Sequence, residues 1–280
     1  MINTLVDEII DIAIREDIGD GDHSSQSCIP HDAQGKMYLL VKEDGVLAGV
    51  QVGTDIFKKI DDSIEVETLI NDGTRVKTGD IVLKVKGRVW SLLQAERLVL
   101  NVMQRMSGIA TRTAEYVAHL EGTSTRVLDT RKTTPGMRLL EKEAVRIGGG
   151  VNHRMGLYDM VMLKDNHIDF AGGIEKAIAQ TQAYLAEKGK KLNIEVEVRD
   201  WNELEEVVRV GGIQRIMLDN FDVPTTKKAV EFIDGRFETE SSGGITMDTL
   251  RGYAECGVDY ISVGALTHHI KSLDLSLKAY

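Results

Sequence analysis

Residues 129–167 carry seven Lys/Arg (Arg131, Lys132, Arg138, Lys142, Arg146, Arg154 and Lys164) against five Asp/Glu (Asp129, Glu141, Glu143, Asp159 and Asp165), with His153 and His167 besides. The whole chain, by contrast, has a formal net charge of −10. A locally basic segment in an acidic protein concentrates a small anion without the non-specific nucleic-acid binding that a basic surface brings. Arginine's planar fork suits carboxylates, and lysine offers a point charge. Arg131, Lys132, His153, Arg154 and Lys164 therefore suit an anion larger than one phosphate, a dicarboxylate beside a diphosphate. For any single cation here a solvated surface charge is the competing reading, and for His153 a hydrogen-bonded packing group.

Elements that could hold these side chains are readable next to them. Val127-Leu128 precedes DTRKTTPG and Met160 to Leu163 precedes KDNH, the pattern of buried parallel strands that deliver polar groups at their carboxyl ends. Gly148-Gly149-Gly150 lets the backbone turn or approach a ligand. Glu195 and Glu197 alternate with Ile194, Val196 and Val198, so both acids face one side of a strand, where an unpaired carboxylate is costly. They require a cation: with Asp219 at the next strand end, Glu197 could hold Mg²⁺, or the acids could form an internal salt-bridge network with the central Lys and Arg. Ser241-Ser242-Gly243-Gly244-Ile245 reads as a strand end opening a helix, whose backbone N–H groups would cradle a phosphate. Val263-Gly264-Ala265 would complete the cradle.

The wider chain predicts two domains. An amphipathic helix carrying Leu5, Ile9 and Ile12 opens it, Gly19 and Gly21 end that helix, and 36–89 alternates short strands with turns at Asp44-Gly45, Asp72-Gly73 and Gly79-Asp80. DGTRVKTGDIVLKVKG also occurs in biotinyl and lipoyl carrier modules, but no lysine stands in an exposed modification turn, which favours a plain β-layer. Residues 91–120 read as a helix in which Arg97 and Arg105 escape the apolar side, Arg105 as a surface charge, and Gly108 reads as a break at the domain junction. Six strand candidates follow, TRVLDT, DMVMLKD, LNIEVEV, QRIMLDN, RFETESS and DYISVGA, with helical patterns between the later ones. Glu197, Asp219, Ser241 and Ser262 are spaced by 22, 22 and 21 residues, a βα repeat. The fold class expected is α/β plus α+β: an irregular, incomplete (β/α) barrel over 109–265, and an N-terminal β-layer and helix domain over 1–108. The tail, 266–280, with Leu273, Leu275 and Leu277, is expected to pack on the first domain as a helix.

Hydrophobic residues make up 42% of 280, enough for a sizeable core. Cys28 and Cys256 have no metal-ligand spacing, no apolar run approaches the roughly 20 residues that span a bilayer, and the first 22 residues are too acidic for a targeting peptide. A cytoplasmic protein with no membrane or nucleic-acid partner is expected.

DTRKTTPG, GGGVNHRMGLYD and LKDNHI resemble the central signature of the quinolinate phosphoribosyltransferases, and EDIGDGD, ERLVLNVMQRMSGIAT, IEVEV, MLDNF, ESSGGI and SVGALTH extend the resemblance over nearly the whole chain. His23 stands where the family has an apolar residue, a structural variation. The resemblance implies transfer of phosphoribosyl from 5-phosphoribosyl 1-diphosphate to quinolinate with decarboxylation, and Mg²⁺ as cofactor. It implies that Arg131, His153, Arg154 and Lys164, with Arg97, enclose quinolinate, that Thr130 is also substrate-binding, that Lys132 faces the sugar diphosphate, and that Glu197 and Asp219 lie in the ribose and metal–diphosphate region. It also implies a head-to-tail homodimer, or a higher oligomer built from it, in which Arg97 enters the partner's site. Two rivals stay open: a phosphoribosyltransferase of the same fold acting on another acidic aromatic ring, and a non-catalytic nucleotide-binding sensor.

Overall fold

The computed structural model describes the backbone of residues 2–280 and the side chains from Thr4 onward. It begins with α1 (Ile2–Ile18) and α2 (His23–Cys28), the second capped by Asp22, whose carboxylate accepts the Ser25 N–H. Strands β1 (Gln34–Val41) and β2 (Gly45–Val46) lead to α3 (Val50–Ile60), then β3 (Glu65–Thr68), β4 (Arg75–Val76), β5 (Ile81–Arg88) and the long α4 (Val89–His119). Next come β6 (Arg126–Leu128), α5 (Arg138–Ile147), β7 (Val161–Leu163), α6 (Asp165–Ala171), α7 (Ile174–Glu187) and β8 (Ile194–Val198). The chain continues through α8 (Trp201–Val210), β9 (Arg215–Asp219), α9 (Val223–Ile233), β10 (Glu238–Ser242), α10 (Met247–Ala254) and β11 (Tyr260–Ser262), and ends with α11 (Ala265–His268) and β12 (Leu275–Ala279).

Contacts divide the chain into two units, Met1–Ala114 with Lys132–Gly149 and Ala265–Tyr280, and Glu115–Arg131 with Gly150–Gly264. This differs from the boundaries expected on sequence chiefly at 109–114 and 132–149. The first unit is built on a four-stranded antiparallel sheet in the order β12-β1-β5-β3. Leu39 stands opposite Leu277 on one side and Leu83 on the other, and all three are buried. The tail is thus a strand and not the expected helix. Leu273, Leu275 and Leu277 recur every second residue, the period that puts side chains on one face of a sheet.

Helix α4 runs 31 residues without a break. Gly108 does not interrupt it, contrary to the sequence expectation. A Cβ at 108 would lie 2.3 Å from the carbonyl oxygen of Lys271, so the glycine permits the tail to cross the helix. Gln104 fastens that crossing, its carbonyl accepting from Leu273 N–H and its side-chain amide donating to the Leu275 carbonyl at 2.8 Å.

Asp61 ties α3 to β5 and α4. Its carboxylate accepts from Ser63 Oγ (2.6 Å), Ser91 Oγ (2.7 Å), and Arg88 Nε (3.0 Å) and Nη2 (2.9 Å). The Ser63 and Ser91 hydroxyls, with Arg88, outweigh burial and hold this carboxyl far below the usual carboxylate range. Because the folded-state pKa lies below the unfolded one, the stabilisation is complete above the ordinary Asp range and is lost as pH falls towards the folded-state value. Asp61→Asn should cost roughly 2–3 kcal/mol at pH 7. Thermal melts should show the gap from wild type narrowing as pH drops from 5 to 2.5; a gap independent of pH would contradict this account.

The second unit is a six-stranded, wholly parallel sheet in the order β6-β11-β10-β9-β8-β7. All six expected strands are present. β6 and β7 are the two ends and do not pair with each other, so the barrel is incomplete, with Leu128 and Val151 forming one isolated parallel bridge beside β6. One face of the sheet, Leu163, Val196, Val198, Ile216 and Leu218, is buried with Ile178, Leu204, Val207 and Ala229 of the flanking helices. The opposite face carries the charged groups.

Candidate active site

Register explains why acids gather there. Glu195 stands beside Arg215 and Arg215 beside Glu238; one pleat further on, Glu197 stands beside Met217 and Met217 beside Glu240, and Asp219 is beside Ser242. In a parallel sheet neighbours in register share a face, so Glu195, Glu197, Arg215, Asp219, Glu240 and Ser242 project from the side opposite the apolar cluster. The strands run the same way, which sets every strand's carboxyl end on one edge. Thr130 and Arg131 follow β6, Lys164 follows β7, Glu197 is the penultimate residue of β8, Asp219 and Ser242 end β9 and β10, and Val263-Gly264 follow β11.

Deep on the charged face, the buried His153, Glu195 and Glu240 gather beside the partly buried Arg215. His153 Nε2 is 3.0 Å from Glu195 Oε2 and 3.4 Å from Glu240 Oε2, and Arg215 Nη1 is 3.2 Å from Glu240 Oε2. Arg215 also reaches Glu238 at 2.9 Å and lies over the Tyr260 ring. Asp129, itself buried, accepts the His153 N–H at 2.8 Å, and His153 Nδ1 accepts the Arg154 N–H at 2.7 Å. Burial pushes the His153 imidazole down, but the two carboxylates push it up further, to about 9. Burial and the Glu240 charge push the Glu195 carboxyl up to about 7, against the opposing pull of His153 and Arg215.

This is the internal ionic network that the alternating glutamates implied, but its cations differ in part from those expected. Arg215 pairs with Glu240, and His153 Nε2 lies close to Glu195 and Glu240, while of the central Lys and Arg it is Lys164 that pairs with Glu197. The His153–Glu195–Glu240 group has metal-like spacing, yet its nitrogen ligand faces the carboxylates with a proton and Arg215 already neutralises Glu240, so the donor set does not fit a divalent cation. Arg215 and Glu240 escaped sequence reasoning, although Glu238 and Glu240 alternate in RFETESS as Glu195 and Glu197 do in IEVEV.

Nearer the edge the groups are more open. Lys164 Nζ donates to Glu197 Oε2 at 2.7 Å, and Asp219 Oδ2 accepts from Asn220 Nδ2 at 2.8 Å. Arg154 is half-buried, and burial followed by the neighbouring Arg131 charge pushes its guanidinium down. Two like charges brought together where water is partly excluded are what a bound anion would relieve. Beyond β10, Gly243 has φ +103° and Gly244 φ +60°, and a Cβ on Gly243 would fall 2.2 Å from Asn220 Oδ1. The backbone turns there before α10 starts at Met247, two residues later than the sequence implied.

Arg97, Lys132 and Ala265 belong to the first unit. Arg97 is exposed on α4. Arg105, expected as a surface charge, is instead 28% exposed and bonded to Glu141, Thr134 and Thr267. Its role could not be seen from spacing, since Glu141 and Thr267 lie far along the chain. Of the other cations in the basic segment, Lys142 is buried in α5 and Arg146 pairs with Glu143 at 2.6 Å.

Comparison with known families matches residues 22–107 to the quinolinate phosphoribosyl transferase N-terminal domain and residues 109–278 to the C-terminal domain. The chain belongs to the quinolinate phosphoribosyltransferase family. It is 46% identical over 288 residues to a mitochondrial quinolinate phosphoribosyltransferase [decarboxylating] of Nicotiana glauca, covering 97% of this chain and 81% of that one. It is 41% identical to the probable nicotinate-nucleotide pyrophosphorylase [carboxylating] of Bacillus subtilis, over 94% of this chain and 89% of the relative. The NadC crystal structure from Streptococcus pyogenes superposes with a TM-score of 0.92 at 44% identity, covering 98% of this chain and 95% of that one. Among the described residues of this family member, no helix is long and apolar enough to cross a membrane.

Proposed function

We propose that this quinolinate phosphoribosyltransferase family member transfers phosphoribosyl from 5-phosphoribosyl 1-diphosphate to quinolinate, with release of diphosphate and CO2, giving nicotinate mononucleotide for de novo NAD biosynthesis. The observation that carries the reading is the sheet edge, where Arg131 and Arg154 are close enough to repel and Lys164, Glu197, Asp219 and the Gly243-Gly244 turn stand at successive strand ends. Arg131, Arg154 and Lys164, with Thr130, enclose the two ring carboxylates. His153 acts through its backbone N–H on Asp129 and its ring Nδ1, which accepts the Arg154 N–H, the Nε2 side of the ring being turned to Glu195 and Glu240. Ser242, Gly243, Gly244, Val263, Gly264 and Ala265 take the 5-phosphate.

The ring nitrogen attacks the anomeric carbon as the bond to diphosphate breaks, and Lys132 meets the charge that develops on the leaving oxygens. The new C–N bond leaves the ring cationic. The bond to the adjacent carboxylate then breaks, its electron pair enters the cationic ring, CO2 leaves, and a proton is taken up at that carbon. Glu197 and Asp219 would hold Mg²⁺. They offer oxygen ligands at adjacent strand ends, and Lys164 occupies one Glu197 oxygen, which fits an ion bound mainly by diphosphate. Bound there, the ion would neutralise the leaving group.

The deciding experiment supplies quinolinate labelled at the 2-carboxylate, the sugar diphosphate and Mg²⁺ to purified protein. Labelled CO2 should appear in step with the mononucleotide; nucleotide binding without CO2 would identify a sensor. Excess chelator should abolish turnover, and full activity in chelator would remove Mg²⁺ from the scheme. The homodimer proposed is head to tail, with Arg97 reaching the partner's site, and the setting proposed is cytoplasmic, in keeping with two free cysteines.

A further inference from the structure

Arg105 bonds to three stretches of the first unit at once. From α4 its Nε donates to Glu141 Oε1 on α5 at 2.8 Å, and its Nη2 donates to Thr134 Oγ1 at 2.9 Å and to the Thr267 carbonyl in α11 at 3.1 Å. Glu141, whose side chain is 1% exposed, turns its other oxygen to the Thr134 N–H at 3.2 Å. Thr267, fully buried, sends its hydroxyl to the carbonyl oxygen of Lys132 at 2.9 Å. The stretch from Lys132 to Met137 has no helix or strand of its own. Besides the Met137 N–H to Thr134 carbonyl turn, it is held by such side-chain contacts, which act at Lys132 and at Thr134.

We propose that Arg105 is the positioning residue for Lys132, holding the backbone of 132–134 so that the lysine ammonium is presented as phosphoribosyl transfer requires. This rests on the role given to Lys132 above. A simple ion pair between α4 and α5 would need only the Glu141 contact. The other two bonds go to a loop hydroxyl and to the carbonyl of the residue that anchors Lys132, and they use the planar fork that distinguishes arginine from lysine.

Arg105→Lys keeps the charge beside Glu141 and forfeits the fork; Thr267→Val keeps the volume and removes the hydrogen bond to Lys132. Arg105→Lys should lower kcat about 10- to 100-fold, the scale expected when a catalytic group is displaced by about an ångström, with the quinolinate KM within about threefold of wild type and Tm little changed. Thr267→Val should act in the same direction, and the double variant should be no slower than the slower single, because both act on one stretch of backbone. Lys132→Ala is measured in parallel. If it is inactive while Arg105→Lys turns over within about twofold of wild type, the positioning role is wrong and the role of Lys132 stands. A lower Tm with unchanged kcat per folded molecule makes Arg105 purely structural and also overturns the proposal. If Lys132→Ala remains active, the assignment of Lys132 falls and this inference falls with it.

Discussion

Arg97→Ala and Lys132→Ala chains, each nearly inactive as a homodimer, should recover activity when refolded together. Each variant removes one cation from the bound anions, and the loss of one such charge-stabilising contact costs about 10²- to 10³-fold in turnover. Arg97 is exposed on α4, a single 31-residue helix that runs straight through Gly108, so no hinge is available there to re-aim it. In the proposed head-to-tail dimer each site combines Lys132 of one chain with Arg97 of the other. A mixed dimer then holds one intact site and one doubly damaged site. Random pairing makes half the dimers mixed, so about a quarter of the wild-type sites return. If Arg97 serves its own chain, every site in the mixture carries a lesion. Recovery no greater than that of the separate variants, with subunit exchange verified by mass spectrometry, would exclude the shared site.

The strands and their polar ends were legible because period-2 alternation and the 22-residue repeat are local properties of the chain. IEVEV announces both the inward acids and the outward valines, while the strands before DTRKTTPG and KDNH are marked by short apolar runs instead. What could not be read were long-range partners. Glu195 needed a cation, and spacing offered the central Lys and Arg; the fold places His153, from a loop 42 residues earlier, 3.0 Å from it, with the Arg215 charge of the next strand nearby. Arg105 looked like a surface charge because Glu141 and Thr267 approach it only in three dimensions. Gly108 was misread for a related reason. A glycine in a helical pattern signals either a break or a close neighbour, and the neighbour is the Lys271 carbonyl, 163 residues away. The tail's leucines carried the correct signal, period 2, and were assigned to the wrong element.

Nicotinic acid, which differs from quinolinate by lacking the 2-carboxylate, should be used with a kcat/KM about 10⁴-fold lower, the penalty typical of a site that is built to bind a polar group and does not receive it. The argument begins with Arg131 and Arg154, which repel in the absence of an anion, the latter half-buried. Quinolinate brings two carboxylates to the cationic edge, enough to offset both guanidinium groups while Lys164 remains paired with Glu197 at 2.7 Å. Nicotinic acid brings one. The half-buried Arg154 then loses the anion that would offset the Arg131 charge beside it, a larger cost than the loss of a fully solvated ion pair. The missing group also removes the carboxylate whose departure completes the reaction, so any adduct keeps a fully reversible bond to ribose. Arg154→Met should narrow the preference by weakening quinolinate use far more than nicotinate use, because it removes both the repulsion and the second carboxylate's partner. Initial rates with both acids, read as mononucleotide formed by wild type and Arg154→Met, decide the matter: comparable kcat/KM for the two acids in the wild type would mean that these arginines do not form the second-carboxylate pocket.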